Sequence, residues 1–332
     1  MAYTITLIPG DGIGPEVTDA AREVLAATGV QIHWDTQLAG AAAAEQSGNP
    51  CPDELIASVQ KHRIALKGPI GTPIGRGFRS VNVTLRKALD LYACLRPVKN
   101  IEGVPSRFSG VDLVIVRENT EGLYSGLEHM VVPGVAESIK IVSERASTRI
   151  AEFAYRYARA NKRRKVSVVH KANIMKLSDG LFLDCCRKVS RRYSEVDTQE
   201  VIVDACAMQL VRFPERFDVL VMDNLYGDIL SDLCAGLVGG LGVVPGANIG
   251  DECAVFEAVH GSAPDIAGKG VANPTALILS AALMLQYLGE RDASTRLENA
   301  VRTVYAKSTV RTGDLGGNAT TAEFARAVIQ AL

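Results

Sequence analysis

The sequence predicts an α/β protein built on a mostly parallel sheet. Short Val- and Ile-rich runs alternate with longer stretches of helical periodicity along most of the chain. Glycine-bearing turns follow several of the apolar runs, and the 332 residues hold 30 glycines, as expected where backbone must turn tightly near a ligand. The hydrophobic share is 47%, enough at this length to bury a sizeable core in about two domains.

Each element has its own signal. The run 3–8 is apolar and stops at Pro9-Gly10-Asp11-Gly12, so it reads as a strand, and 15–27 reads as a helix opened by that glycine loop. Short strands at 64–67 and 93–97 flank a helix at 84–91. The Val/Ile-rich run 111–117 is a strand, and 147–161 is helical with a basic end, Lys162 to Lys165, that suits a helix C-terminus better than nucleic acid. Strands at 166–170, 198–203 and 219–222 are followed by helices at 179–192, 205–212 and 228–237. The tail carries helices at 274–288, 295–307 and 321–332. One stretch breaks the alternation: Glu128–Ser143 holds two short β-like runs around Pro133-Gly134, the pattern of a projecting hairpin. It is either an arm that pairs with another subunit or a plain surface hairpin.

Charge is balanced, 36 Lys+Arg against 37 Asp+Glu, so composition gives no reason to expect nucleic acid or a membrane as partner. The longest apolar stretch, 276–285, is too short to span a bilayer. The first apolar run lacks the basic start and cleavage site of a signal peptide. The seven cysteines are scattered without a CxxC pair, which leads to the expectation of reduced core thiols in a cytoplasmic protein.

Four segments carry chemistry. Pro9 to Glu16 joins a strand to a helix, where free N–H groups could meet an anion or a cofactor, although Pro15 stands where the dinucleotide fingerprint needs glycine. Arg86, Arg96 and Arg117 lie at or near predicted strand ends, the ligand side of open α/β sheets, and guanidinium forks match carboxylates. Three of them suggest a polyanionic small substrate. Asp228 and Asp232 are four apart and share one helix face. A hard divalent cation answers their repulsion, and Asp204, just after another strand, is a third candidate. The loop from His260 through Gly261, Ser262, Ala263, Pro264, Asp265 and Ile266 to Gly270, with Asn273 beyond it, is small-residue rich and reads as a binding loop.

Together these segments resemble the β-decarboxylating dehydrogenases that act on isocitrate, isopropylmalate, homoisocitrate and tartrate. The matching blocks, in order, are PGDGIGPE (9–16), SVNVTLRKALDLYACLRPVK (80–99), RENTEGLYSG (117–126), HKANIMK (170–176), NLYGDILSD (224–232) and HGSAPDIAGK (260–269). The resemblance implies a two-domain α/β fold with a mixed sheet, unlike the usual Rossmann domain. One domain would span 1–99 and 252–332, and a dimerisation domain 100–251, with the hairpin near 128–143 as an intersubunit clasp. It also implies an obligate homodimer with shared active sites.

Carried over residue by residue, the resemblance makes Arg86, Arg96 and Arg117 the substrate-carboxylate clamps and Tyr124 the acid that protonates the enolate. Lys171 matches the lysine that takes the hydroxyl proton in the neighbouring subunit's site, and Asn173 lies beside nicotinamide and substrate. Asp228 and Asp232, with Asp204 from the other subunit, look like the ligands of Mg2+ or Mn2+. Ser80 and Asn82 match the Ser-x-Asn of the isocitrate branch. Asp265-Ile266 resembles the NAD branch, the NADP branch having Lys and Tyr there, and the cofactor would be held by His260 to Ile266 and Asn273. The expected activity is NAD-linked oxidative decarboxylation of isocitrate, a tricarboxylate, to 2-oxoglutarate and CO2. The alternatives are homoisocitrate, isopropylmalate or tartrate oxidation, or a non-catalytic regulatory subunit.

Overall fold

A computed structural model of the chain describes residues 2–73 and 80–332, and these form an α/β fold with mixed sheets. They divide into two compact units. The first comprises Met1–Leu91, Asn100–Ser109 and Val238–Leu332, the second Tyr92–Lys99 and Gly110–Leu237. Strand Ala93–Lys99, expected in the first domain, thus clusters with the second unit, while Asn100–Ser109 and 238–251 cluster with the first.

In the first unit the strands lie in the order Gln31–Thr36, Ala2–Ile8, Ile64–Lys67, Ala254–Ala258, Pro245–Ile249. The first four are parallel and the last pair is antiparallel. Ile64–Lys67 is buried at every position, an apolar run from Ile64 to Leu66 that ends in Lys67. Helix Thr275–Tyr287 is apolar on nearly all sides and fills the centre of this unit. It starts one residue later than expected at Pro274, because the Asn273 side chain accepts the Thr275 N–H at 3.0 Å.

The second unit orders its strands Ala93–Lys99, Asp112–Glu118, Val219–Met222, Lys165–His170, Asp197–Ile202. Only the first pair is antiparallel. Helix Glu144–Ala160 is capped by Ser143, which accepts from Ala146 N–H. It buries Ile150, Ala151, Ala154, Tyr155 and Ala158 along one stripe, the i, i+4 spacing its sequence sets. The expected hairpin is present as Glu128–Val132 paired antiparallel with Val135–Ser138. Met130, Val131, Val132 and Val135 on it are all exposed.

Candidate active site

The register of the antiparallel pair sets the arginines. Cys94 lies opposite Arg117 and Arg96 opposite Ile115, so Arg96 and Arg117 are diagonal neighbours on one face of the sheet. Arg96 stands in mid-strand, not at the strand end expected, and reaches the site because its strand runs antiparallel to the neighbour. Both side chains are buried, Arg117 at 1% exposure and Arg96 at 7%.

Helix Asn224–Leu237 receives them. It begins four residues before the expected Asp228, since Asp223 Oδ1 accepts the Tyr226 N–H at 2.9 Å and starts the helix there. Asp228 and Asp232 therefore stand beyond the first turn, and the helix dipole does not account for either. Arg117 donates to Asn224 Oδ1 from Nε at 3.1 Å and from Nη2 at 2.7 Å, and to Asp228 Oδ1 at 2.5 Å. Arg96 donates to the Ser231 hydroxyl and to Asp232 Oδ1 at 3.2 Å. Gly227 makes room: a Cβ there would stand 2.3 Å from Arg117 Cγ. Asn224 and Ser231 are site residues that the sequence reasoning missed. Their spacing of −4 and +3 from Asp228 places them on its helix face and was the available signal.

Tyr124 completes this cluster. Its hydroxyl donates to Asp228 Oδ2 at 2.5 Å, and the Arg117 guanidinium lies 5.1 Å from its ring centre. Burial, then the Asp228 carboxylate, pushes the phenol above its ordinary range against the opposing charge of Arg117. It is therefore a protonated donor at neutral pH. Burial also raises the Asp232 carboxyl, with Asp228 adding to the rise and Arg96 opposing it.

Lys171 and Asp204 form a separate pair, the ammonium donating to Asp204 Oδ1. That bond holds the Asp204 carboxyl below its usual range. Asn173 is exposed in the turn after Lys171. Among the described residues no three His, Cys, Asp or Glu side chains form a metal-binding group, so Asp204 does not join Asp228 and Asp232 within one chain. Asp228 and Asp232 nevertheless suit a hard cation. They are adjacent oxygen donors, their side chains 40% and 54% exposed, and the set lacks a further donor.

In the first unit, Ser80 caps helix Val81–Ala88 by accepting the Val83 N–H. Asn82 and Arg86 share a face of that helix. Asn82 Oδ1 and Arg86 Nε are buried without a hydrogen-bond partner among the described residues, a costly state that a polar ligand relieves. Behind them lies a buried ion group. Glu257 pairs with Lys67 at 2.5 Å and Arg86 at 3.3 Å and accepts from Asn248 at 2.6 Å. Burial pushes the Glu257 carboxyl up, but Lys67 and Arg86 outweigh it and hold the group at about 2.

A cavity of about 350 Å3 in the same unit is lined by Ile13, Gly242, His260, Gly261, Ala263, Ile266, Ala272, Asn273 and Asp314. Five of the eight expected cofactor residues line it. Ser262, Pro264 and Asp265 stand outside the lining, and Ile13, Gly242, Ala272 and Asp314 are additions. Asn273 donates to Asp314 at 3.0 Å, which fixes that wall. Burial lowers the His260 imidazole, and its Nε2 is buried with no partner among the described residues. An orphaned neutral ring nitrogen on a cavity wall fits a heteroaromatic cofactor. The glycine loop already engages three of its N–H groups within the chain. Asp11 donates to Pro69 O, Ile13 to Ser262 O and Gly14 to Asp11 O.

Comparison with known proteins agrees with this architecture. The family model described as isocitrate/isopropylmalate dehydrogenase matches residues 4–328. The chain is 52% identical over 326 residues to catalytic subunit 5 of the mitochondrial NAD isocitrate dehydrogenase of Arabidopsis thaliana, covering 98% of this chain and 87% of that one. It is 53% identical over 321 residues to a regulatory subunit of the mitochondrial NAD isocitrate dehydrogenase of Dictyostelium discoideum, covering 96% and 89%. A crystal structure of isocitrate dehydrogenase from Methylococcus capsulatus superposes with a TM-score of 0.96 at 55% identity, covering 99% of each chain. The mitochondrial relatives overturn the cytoplasmic expectation. It rested on the cysteines, all seven of which are free and buried, and unpaired thiols inside the core do not single out one reducing compartment. The chain belongs to the isocitrate/isopropylmalate dehydrogenase family.

Proposed function

We propose that this chain is a catalytic NAD-dependent isocitrate dehydrogenase that pairs with a second copy of itself. The observation that carries this reading is the set of two buried arginines, Arg96 and Arg117, which with Tyr124 bond Asp228 and Asp232 on helix Asn224–Leu237. Guanidinium groups for carboxylates, carboxylates for a cation and a protonated phenol are what oxidative decarboxylation of a hydroxy acid needs. The unpaired Asn82 Oδ1 and Arg86 Nε beside Ser80 favour a polar third carboxylate over the apolar branch of isopropylmalate. The exposed apolar hairpin residues and the exposed Met208, Val211 and Ile229 support pairing between copies.

Arg86, Arg96 and Arg117 would bind the substrate carboxylates and hold the substrate in one orientation. Mg2+ or Mn2+, held by Asp228, Asp232 and Asp204 of the partner subunit, would supply Lewis-acid polarisation of the substrate oxygen on C2. Lys171 of the partner subunit takes the hydroxyl proton at C2, and NAD+ when bound would supply the acceptor for the C2 hydride. CO2 then departs from C3, and the Tyr124 hydroxyl returns a proton to that carbon. The two proton transfers cancel, and the products are 2-oxoglutarate, CO2 and NADH. NAD rather than NADP is favoured because Asp265 stands in the sequence where the NADP branch of the family has Lys, and no Lys or Arg lies within 262–268 to offset repulsion of a phosphate.

Tyr124, Lys171, Asp204, Asp228 and Asp232 are all retained, which argues against a regulatory role. The test is turnover of isocitrate, homoisocitrate and isopropylmalate by the purified chain with Mg2+ and either NAD+ or NADP+. Isocitrate with NAD+ should give the highest kcat/KM. Isopropylmalate preferred, NADP+ preferred, or no turnover at all refutes the reading.

A further inference from the structure

Asp11 lies in the Gly10–Gly12 turn, and neither the substrate cluster nor the cofactor cavity accounts for its carboxylate. Both of its oxygens are committed to backbone N–H groups of separate segments. Oδ2 accepts from Gly71 at 2.9 Å, and Oδ1 accepts from Ala41 at 2.8 Å. Its own N–H donates to Pro69 O at 2.7 Å. The residues that follow hold a third segment. Ile13 N–H donates to Ser262 O at 2.9 Å, and a Cβ on Gly12 would stand 1.9 Å from that same oxygen. On the other side, the Thr72 hydroxyl donates to Ser80 Oγ at 3.2 Å. One line of contacts therefore runs from the cavity wall at Ile13 and the Ser262 loop, through Asp11, to the cap of helix Val81–Ala88.

We propose that Asp11 is a positioning residue that couples the cofactor loop to the substrate-selecting end of helix Val81–Ala88. This rests on the reading of the His260–Asn273 cavity as the cofactor site and of Ser80 as a substrate contact. A carboxylate bonded to two N–H groups holds both more firmly than a neutral acceptor does. Small displacements of either loop misplace groups that must meet the ligands. Cofactor affinity and substrate affinity thus depend together on a residue that touches neither ligand.

The test is Asp11→Asn, whose amide keeps the shape but can accept at only one of the two positions. The NADH dissociation constant is read by fluorescence titration, which needs no turnover, alongside KM for isocitrate, kcat and the melting temperature. Both binding constants should rise about tenfold, as expected for a lost charge-assisted bond, with kcat and melting temperature little changed. Thr72→Val cuts only the Ser80 end. It should raise KM for isocitrate and leave NADH affinity alone, and it stands in if Asp11→Asn does not fold. A change in only one constant for Asp11→Asn, a lower melting temperature with both constants unchanged, or no change in KM for Thr72→Val overturns the coupling. Wild-type protein that binds NADH but fails to oxidise isocitrate refutes the functional reading instead, and the coupling is then read with the hydroxy acid it does oxidise.

Discussion

The Ser80 hydroxyl accepts from Val83 N–H and from Thr72, and it is the group expected to donate to the third carboxylate of isocitrate. Aspartate caps helices as well as serine does, so Ser80→Asp should keep the fold while setting like charges against each other in a confined site. We expect kcat/KM for isocitrate to fall by about a hundredfold or more, with an unchanged circular dichroism spectrum. Wild-type kcat/KM would show that isocitrate is not bound there. Glu257 gives a second expectation. Its carboxyl is held at about 2 against an ordinary 4.5, so its contribution to stability is fully present above about 4.5 and is lost as the pH falls towards 2. Glu257→Gln leaves Lys67 buried without its counter-charge and should cost about 3–5 kcal/mol near neutral pH. The difference from wild type in urea denaturation should narrow as the pH drops below 4.5. A gap that does not change with pH would mean the charge of Glu257 is not what stabilises this group. Glu257 itself was not legible in the sequence, because its importance lies in partners at positions 67, 86 and 248.

Helix Asn224–Leu237 gathers the arginines because residues 224, 228, 231 and 232 recur on one face. Asp228→Asn keeps that geometry and removes one hard donor. Mn2+ binding should weaken by at least the roughly 10–100-fold that altered outer partners alone cost, and activity should fall with it. Unchanged Mn2+ affinity by calorimetry would remove Asp228 from the metal set. Much at this scale was readable beforehand. The buried strands Ile64–Lys67 and Val219–Met222 and the amphipathic helix Glu144–Ala160 stand out in composition and period, and Pro133-Gly134 marks the hairpin. Other elements were not. Pro245–Ile249 carries Pro and Gly and becomes a strand only through its antiparallel partner Ala254–Ala258. Gln31–Thr36 has only Ile32 and Trp34 as apolar residues and is paired on one edge alone. Ala41–Ser47 is a seven-residue helix without a side-chain cap. Asp53–His62 did carry a signal, with Pro52 before it, acids in its first turn and bases in its last, and was overlooked. At the site, the matched motifs named the arginines and carboxylates, but no spacing revealed that the glycine loop spends its N–H groups on Pro69 and Ser262.

At the scale of the whole molecule, the proposed function requires two copies of this chain, with no other subunit, to build a complete active site. Within one chain Tyr124 bonds Asp228 while Lys171 bonds Asp204, and the proposed mechanism draws the two groups of each site from different copies. The measurement is activity after co-refolding Tyr124→Phe with Lys171→Met, each inactive alone, with a tag on one parent to isolate mixed dimers. A mixed dimer holds one site with both defects and one site with neither. Activity should therefore return to about a quarter of wild type in a statistical mixture of a two-fold dimer, and to about half in the isolated mixed dimers. Verified mixed dimers that stay inactive would mean that each active site is built within a single chain, and the account of a shared site would fail.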